Sequence, residues 1–393
     1  MVIHKLFAAG MFIACMMMQT GEVNALSWPH DPPVEAKSWV LMDANSGQVL
    51  TKQGENKELP PASLTKMMTL YLAFEDIKLG RLNPNDPVQV SQKAWKAGGS
   101  RMFIEPRLNP TVDELLHGIS TLSGNDASVA LAEHIAGTED GFADRMNIKA
   151  DELGLTHSHF VNATGFPAEG HYSSAMDMAL LGAALLRDFP DQYKLFSEKS
   201  YTYNNITQSN RNRLLWADPR VDGIKTGHTE AAGYCLVSSA QKNNLRLVAA
   251  IFGTDSEKSR EQQSKLLLTY GFRNFVSLRP AQRNLRRQVE VFQGEEDQMW
   301  LVPRHAIWVT VPKGFEKNVS FRLRHPKPLL APIAKGERVG SIDAILKEKD
   351  GSEQVLASVD MLAANDMEQA SWIGRQMDSL RLWWRDQQSE EQL

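Results

Sequence analysis

Two short apolar runs, SWVLMDA and QVLT, flank Asn45-Ser46-Gly47, and the pattern predicts a β-hairpin from Ser38 to Thr51. Pro60-Pro61 then stops the chain. Leu64, Met67, Met68, Leu70, Tyr71 and Phe74 follow at helical spacing and predict a helix from about Ser63 to Leu79. Further helices are expected at Val112–Ile119, Asp126–Ala136, Asp140–Leu153 and Met176–Leu186. From Val221 the pattern changes to short apolar strands, Gly223–Gly227, Tyr234–Ser239 and Leu245–Phe252, closed by an amphipathic helix at about Glu257–Phe272. This order predicts a mixed α/β (α+β) domain, helices packed on an antiparallel sheet, over residues 26–280.

Residues 281–365 carry short alternating runs separated by Gly and Pro, as in His325-Pro326-Lys327-Pro328, and predict a small all-β sandwich. From Met367 the pattern is helical again. Ile373, Met377, Leu380, Trp383 and Trp384 recur on one face, with Arg375, Asp378, Arg381 and Arg385 at polar positions. Tryptophan with arginine on an amphipathic helix suits a membrane interface, so residues 366–393 are expected to lie on a membrane surface. The alternative is a helix packed on the β domain or on a second copy.

The start of the chain reads as a leader. Leu6 to Met18 is almost wholly apolar, and Val23-Asn24-Ala25 is a small-x-small cleavage signal, so residues 1–25 are expected to be a secretory signal peptide. The apolar run is shorter than the roughly 20 residues that span a bilayer. Phe12-Ile13-Ala14 is a poor approach to a lipidated Cys15. Loss of the leader removes Cys15 and leaves Cys235 alone, so no intrachain disulfide is expected. Cys235, in Gly-Tyr-Cys-Leu-Val, reads as a buried small residue. The net charge of -4 and the lack of a polybasic run give no nucleic-acid footprint.

Three short motifs carry the candidate chemistry: Ser63-Leu64-Thr65-Lys66, Ser123-Gly124-Asn125 and Lys225-Thr226-Gly227. On a helix, residues three apart share a face, so the Lys66 amine can reach the Ser63 hydroxyl. A serine needs a base to become a nucleophile, and lysine is a base only when burial or nearby cations depress its pKa. Lys225 is a candidate second cation. The Ser123 hydroxyl can relay a proton to a leaving group, and the Asn125 amide can hold a substrate amide. A strand ending in Lys225, Thr226 and Gly227 can pair with an extended substrate and offer donors to a carboxylate, with Gly227 keeping the approach clear. A second S-x-x-K, Ser239 to Lys242, lies at a strand end and shows that the four-residue pattern also arises by chance. The structural alternatives are a helix cap at Ser63, a turn at Ser123 and an ordinary strand end at Lys225.

Together the motifs form the signature of penicillin-binding proteins and class A β-lactamases. The chain resembles the low-molecular-mass penicillin-binding proteins, the D-alanyl-D-alanine carboxypeptidases, from about Ser38 to Phe275 and in the layout of the β domain and tail. The resemblance rests on PASLTKMM at Pro61–Met68, SGNDA at Ser123–Ala127, HFVN at His159–Asn162 and DGIKTGHT at Asp222–Thr229. It implies a penicillin-binding, serine β-lactamase-like fold and removal of the terminal D-alanine from peptidoglycan stem pentapeptides. Ser63 would be the nucleophile, Lys66 its base, and Ser123, aided by Lys225, the proton donor to the leaving D-alanine. The N–H groups of Ser63 and His228 would form the oxyanion hole, and Thr226 and His228 would bind the terminal carboxylate. Arg211 and Arg260 are candidates by family position. β-Lactams would trap Ser63, no metal or cofactor is implied, and the location would be periplasmic, at the inner membrane. Gly124 stands where the general signature has aspartate and, with no E-x-x-L-N element, points away from a β-lactamase. His157 and His159 form H-x-H, but no acidic or histidine set completes a zinc site at a recognisable spacing. The remaining alternatives are a D,D-endopeptidase on the same fold and a cell-shape protein that binds peptidoglycan without cutting it.

Overall fold

The runs SWVLMD and LRLVAAIFGT are buried along their whole length because the strands they form are covered on both faces. In the computed structural model, which describes residues 28–348 and 351–390 (side chains to 385), β1 (Ser38–Asp43) and β2 (Val49–Gln53) make the expected hairpin. The predicted leader and Cys15 lie outside the described residues. A 3₁₀ turn at Ala62–Thr65 leads into α1 (Lys66–Lys78), followed by a short α2 (Gln92–Trp95) and by α3 (Val112–Leu122), α4 (Asn125–Ala136), α5 (Glu139–Glu152) and α6 (Ala175–Asp188). The hairpin β3 (Ser200–Tyr203) and β4 (Ile206–Ser209) and the short α7 (Leu214–Ala217) precede β5 (Val221–Thr229), β6 (Gly233–Lys242), β7 (Leu245–Thr254) and α8 (Glu257–Asn274). The sheet is antiparallel with order β2-β1-β7-β6-β5. Leu41, Leu247, Ala249 and Ile251 meet α8 residues Leu267 and Leu268 on one face. Val40, Met42, Val248, Ala250 and Phe252 join the core of α1, α3, α4, α5 and α6 on the other.

Caps set the helix starts. Thr111 and Glu114 form a capping box at α3, and Thr138, Ser174 and Ser256 accept N–H bonds at the starts of α5, α6 and α8. The α1 helix is buried on all sides, Lys66 and Asp76 included, which fits a helix at the centre of a domain. It begins three residues later than expected, because the chain through Ser63 is wound as the tighter 3₁₀ turn.

The second domain is all-β. A five-stranded antiparallel sheet has order β12-β13-β14-β10-β9, built from β9 (Arg287–Glu290), β10 (Gln298–Pro303), β12 (Val319–Arg324), β13 (Arg338–Lys347) and β14 (Glu353–Ala363). Directly after α8, β8 (Phe275–Leu278) pairs with β11 (Val309–Pro312), so strand pairing straddles the expected boundary at 280. The buried Asp43 carboxylate at the end of β1 accepts from Thr310 Oγ at 2.6 Å and ties the two domains together.

Helix α9 (Trp372–Glu390) docks on the β domain by its polar side. Buried Asp378 accepts the Gln293 N–H at 2.6 Å, and Arg385 pairs with Glu290 at 2.9 Å and lies over the Phe292 ring. Trp372, Ile373, Met377, Leu380, Trp383 and Trp384 face outward and are each more than half exposed. Among the described residues no helix is long and apolar enough to cross a membrane.

Thr310→Val leaves the Asp43 carboxylate short of a buried donor, which costs about 1–3 kcal/mol. Its urea midpoint should fall below that of the parent with an unchanged m-value. An unshifted midpoint would show that this bond does not secure the domain junction.

Candidate active site

In a 3₁₀ turn, residues three apart eclipse one another. Ser63 within the turn and Lys66 just after it therefore project to one side, and Lys66 Nζ lies 3.1 Å from Ser63 Oγ. The same Nζ is 2.6 Å from Asn125 Oδ1 and 2.5 Å from the Thr164 carbonyl oxygen. Lys66 is fully buried. Burial first, then the Arg211 cation, push its pKa down to about 7, against the opposing carboxylates of Asp126 and Glu139. A neutral amine has two hydrogens and one lone pair. Asn125 and Thr164 accept the two hydrogens, and the lone pair is left to face the Ser63 hydroxyl. That is the arrangement a general base needs.

Three elements bring these groups together. Ser123 caps the C-terminus of α3 in the left-handed conformation, φ 63°, and turns the chain so that α4 starts at Asn125. A non-glycine residue held there is a form of local strain that concentrates at functional sites. A Cβ on Gly124 would meet Met102 backbone nitrogen at 3.2 Å and Asp126 Oδ1 at 3.0 Å, so the aspartate of the general signature would fit here only if these neighbours gave way by a few tenths of an ångström. Instead Asp126 receives the N–H groups of Met102 and Phe103 at 2.8 Å each and of Ile104 at 3.2 Å, which fixes one wall. The opposite wall is the 160–166 segment. Asn162 Oδ1 accepts from Thr164 N at 3.1 Å and Gly165 N at 2.8 Å, Glu139 accepts the Ala163 N–H at 3.0 Å, and Thr69 donates to the Ala163 carbonyl at 2.8 Å. Gly165, φ 85°, lies so close to the Ala62–Thr65 turn that a Cβ would come within 1.8 Å of the Ala62 carbonyl.

The third element is β5, at the edge of the sheet. Thr226, Gly227, His228 and Thr229 line a cleft of about 420 Å³ with Ser63, Ser123, Asn125, Arg211 and Arg260. The missing side chain of Gly227 makes room for the turn as well as for an approaching substrate: a Cβ there would meet Pro61 oxygen at 3.0 Å and Ala62 Cβ at 3.2 Å. Arg260 is buried, lies over the Tyr234 ring and reaches the Arg211 carbonyl at 3.4 Å, while exposed Arg211 bonds Ser100 Oγ. His228 stacks on Tyr234 at 4.1 Å. The two guanidinium groups thus gather with Thr226 and His228 along one cleft.

Asn125 and Lys225 are already engaged within the protein. The Asn125 Oδ1 accepts from Lys66 and one Nδ2 hydrogen goes to the Gly98 carbonyl at 2.7 Å, while the second Nδ2 hydrogen stays available on a side chain that lines the cleft. Lys225 is buried beside the cleft and donates to the Thr226 carbonyl at 3.1 Å, away from the open face where a carboxylate would bind. Burial and the charges of Lys66, Arg211 and Arg260 push its pKa well down, and Arg211 is the cation that acts most on Lys66. Ser239, the control serine, is buried, donates to Asp222 at 2.6 Å and lies 2.5 Å from the Tyr193 hydroxyl, a structural role.

Ser100, Phe166, Tyr234 and Glu257 also line the cleft and were not singled out by sequence. The Thr164 carbonyl was also missed, because a backbone oxygen has no residue signature. The one available signal was Asn162, in the HFVN word. His159 turns to the Gly170 carbonyl at 2.7 Å and His157 lies 3.8 Å from Glu58. Cys235 is buried in β6 and its thiol is pushed up to about 11 by burial. A larger cavity of about 680 Å³ between α1, α4 and α5 contains Asp76 with its partners Arg81 and Arg145, and none of the candidate residues.

Residues 25–256 match the family model for D-alanyl-D-alanine carboxypeptidase, and residues 280–369 match that for the penicillin-binding protein 5 C-terminal domain. The chain belongs to the D-alanyl-D-alanine carboxypeptidase family. It is 39% identical over 363 residues to D-alanyl-D-alanine carboxypeptidase DacA of Escherichia coli (strain K12), covering 90% of this chain and 89% of that one. Penicillin binding protein 5 from Haemophilus influenzae superposes with a TM-score of 0.81 at 38% identity, covering 87% of this chain and 100% of that one. Penicillin-Binding Protein D2 from Listeria monocytogenes, solved in its ampicillin-bound form, shares 25% identity and a TM-score of 0.57 over 62% of this chain and 100% of that one. This carboxypeptidase is therefore a low-molecular-mass penicillin-binding protein with the penicillin-binding fold and a separate all-β C-terminal domain.

Because Lys66 is neutral above about 7 and charged below, the second-order rate of acylation by penicillin should rise with pH to a plateau above that value. Below it the rate should fall about tenfold per pH unit. Lys66→Arg, which cannot deprotonate, should lose about 10²–10⁴-fold at every pH. A flat profile for the parent across the neutral range would show that Lys66 is not the base.

Proposed function

We propose that Ser63, Lys66 and Ser123 carry the serine D-Ala-D-Ala carboxypeptidase reaction of this family on peptidoglycan stem pentapeptides. The observation that supports this most is the Lys66 amine, with two hydrogens taken by Asn125 and Thr164 and the Ser63 hydroxyl at 3.1 Å. Ser63 Oγ attacks the carbonyl of the penultimate D-alanine as Lys66 takes its proton. The N–H groups of Ser63 and His228 steady the oxyanion, with His228 on an edge strand free to pair with the extended peptide. The proton that Lys66 took from Ser63 passes through Ser123 Oγ, aided by Lys225 in β5, to the departing D-alanine nitrogen. Thr226, His228, Arg211 and Arg260 form the carboxylate end of the cleft, and Gly227 keeps strand and nucleophile turn in contact. Water then hydrolyses the acyl-enzyme. β-Lactams enter the same cleft and acylate Ser63.

Chain organisation completes the reading: leader 1–25, catalytic domain 26–280, β domain 281–365 and anchor helix 366–393, in a periplasmic enzyme held at the inner membrane. The outward row of Trp372, Ile373, Met377, Leu380, Trp383 and Trp384 supports the anchor, since a helix docked by its charged side leaves its apolar side for the bilayer interface.

Purified enzyme should release D-alanine from a pentapeptide faster than it cuts cross-linked muropeptides. Ser63→Ala should lose D-alanine release by roughly 10⁴-fold or more and show no covalent penicillin adduct by mass spectrometry. An adduct on any other peptide would remove Ser63 from its role. Deleting residues 367–393 should move the protein from the membrane to the soluble fraction; membrane retention would defeat the anchor.

A further inference from the structure

Behind the Ser63–Lys66 pair lies a histidine that none of the motifs contains. His171 is buried. Its Nδ1 is 3.0 Å from the Val161 nitrogen and its Nε2 is 2.8 Å from Thr65 Oγ. The Val161 N–H can only donate, so Nδ1 must be unprotonated and Nε2 must carry the hydrogen, which it donates to Thr65. Phe160 meets the ring edge-on at 6.0 Å between centroids, and the His171 N–H donates to the Ala168 carbonyl at 3.1 Å.

The two partners belong to the two walls that enclose Lys66. Thr65 lies between Ser63 and Lys66 in the nucleophile turn. Val161 precedes Asn162, whose side chain shapes the Thr164–Gly165 backbone, and Thr164 supplies a carbonyl to Lys66 Nζ. We propose that His171 is a positioning residue for the Lys66 base: by bridging Thr65 to Val161 it sets the gap between nucleophile turn and acceptor wall, and so keeps water off the amine. This rests on Lys66 being the base, as argued above.

The bridge needs a neutral ring. Burial, then His159 and Lys66, hold the His171 pKa down at about 4, so it stays neutral through the range in which Lys66 titrates. A charged ring would carry hydrogen on both nitrogens and turn the Val161 contact into donor against donor. The charged groups that face Lys66 itself are Arg211, Asp126 and Glu139, with the titratable Lys225 beside them, and His171 bonds instead to Thr65 and Val161. A change at His171 therefore reaches Lys66 through the gap and its hydration.

The test is the pH profile of penicillin acylation, read with pentapeptide kcat and KM. His171→Phe keeps an aromatic ring against Phe160 and loses both bonds. It should slow acylation on the order of 10²-fold, the penalty expected for a displacement near 1 Å. It should also move the base limb above its position near 7, because readmitted water restores the amine's preference for charge. The loss should fall on kcat more than on KM. His171→Gln, with one donor and one acceptor, should recover most of the rate and return the limb toward the parent's. Thr65→Val removes one end of the bridge and should shift the limb in the same direction, which keeps the test decisive if His171→Phe does not fold. Folded His171→Phe and Thr65→Val proteins whose base limbs superimpose on the parent's would overturn the proposal. If the parent itself shows no limb near 7, the assignment of Lys66 fails instead, and the two failures are distinguishable.

Discussion

The molecule is organised around the removal of one ammonium group from water. An exposed lysine near pKa 10.4 is almost fully charged at neutral pH and has no lone pair to give. Lys66 escapes that state because it opens a helix buried on every side, at the junction of the helical core and the sheet. Two acceptors, Asn125 Oδ1 and the Thr164 carbonyl, then orient what lone pair remains. Both would also stabilise the charged amine, so burial has to outweigh them, and it is the largest influence on this group.

Much of the surrounding architecture can be understood as holding that enclosure shut. The α3–α4 corner needs Ser123 in a left-handed conformation and a glycine after it, so that Met102 can pack against the turn and Asp126 can collect three backbone N–H groups. The 160–166 segment is pinned by Glu139, Asn162, Thr69 and His171, and Gly165 lets it lie against Ala62. The edge strand closes on the third side, where Gly227 admits the turn. Gly165 sits where two backbones approach more closely than a Cβ allows, Gly124 and Gly227 where a Cβ would be tight, and each of the polar anchors satisfies backbone groups in a loop that has no ladder of its own.

The sheet and the second domain serve a different end. Strands β1 and β7 are buried along their whole length because helices cover both faces, and this plate carries β5 and its cleft-lining residues at an open edge. The β domain is joined by a strand pair and by the buried Asp43–Thr310 contact, and it presents α9 with its apolar side outward. Charge on one side of α9 meets charge on the β domain, which leaves the tryptophans unpartnered.

Periodicity and turn residues in the sequence determined the helices, the strands and the change to an all-β domain, since local hydrophobic pattern reflects which face is buried. The three motifs also identified Ser63, Lys66, Ser123 and Lys225 as one constellation, because covalent chemistry restricts residue types severely. Sequence placed Ser63 at the start of a regular helix, whereas the structure winds it in a 3₁₀ turn that lies against Gly165 and Gly227, contacts that no local propensity encodes. Tertiary structure alone decided that Asn125 bonds at both ends, that Arg211 is the cation nearest in effect to Lys66, and that a backbone carbonyl meets Lys66 and a histidine meets Thr65 from a loop about a hundred residues away. Those contributions come from burial, distance and main-chain atoms, which depend on how the chain is folded in space.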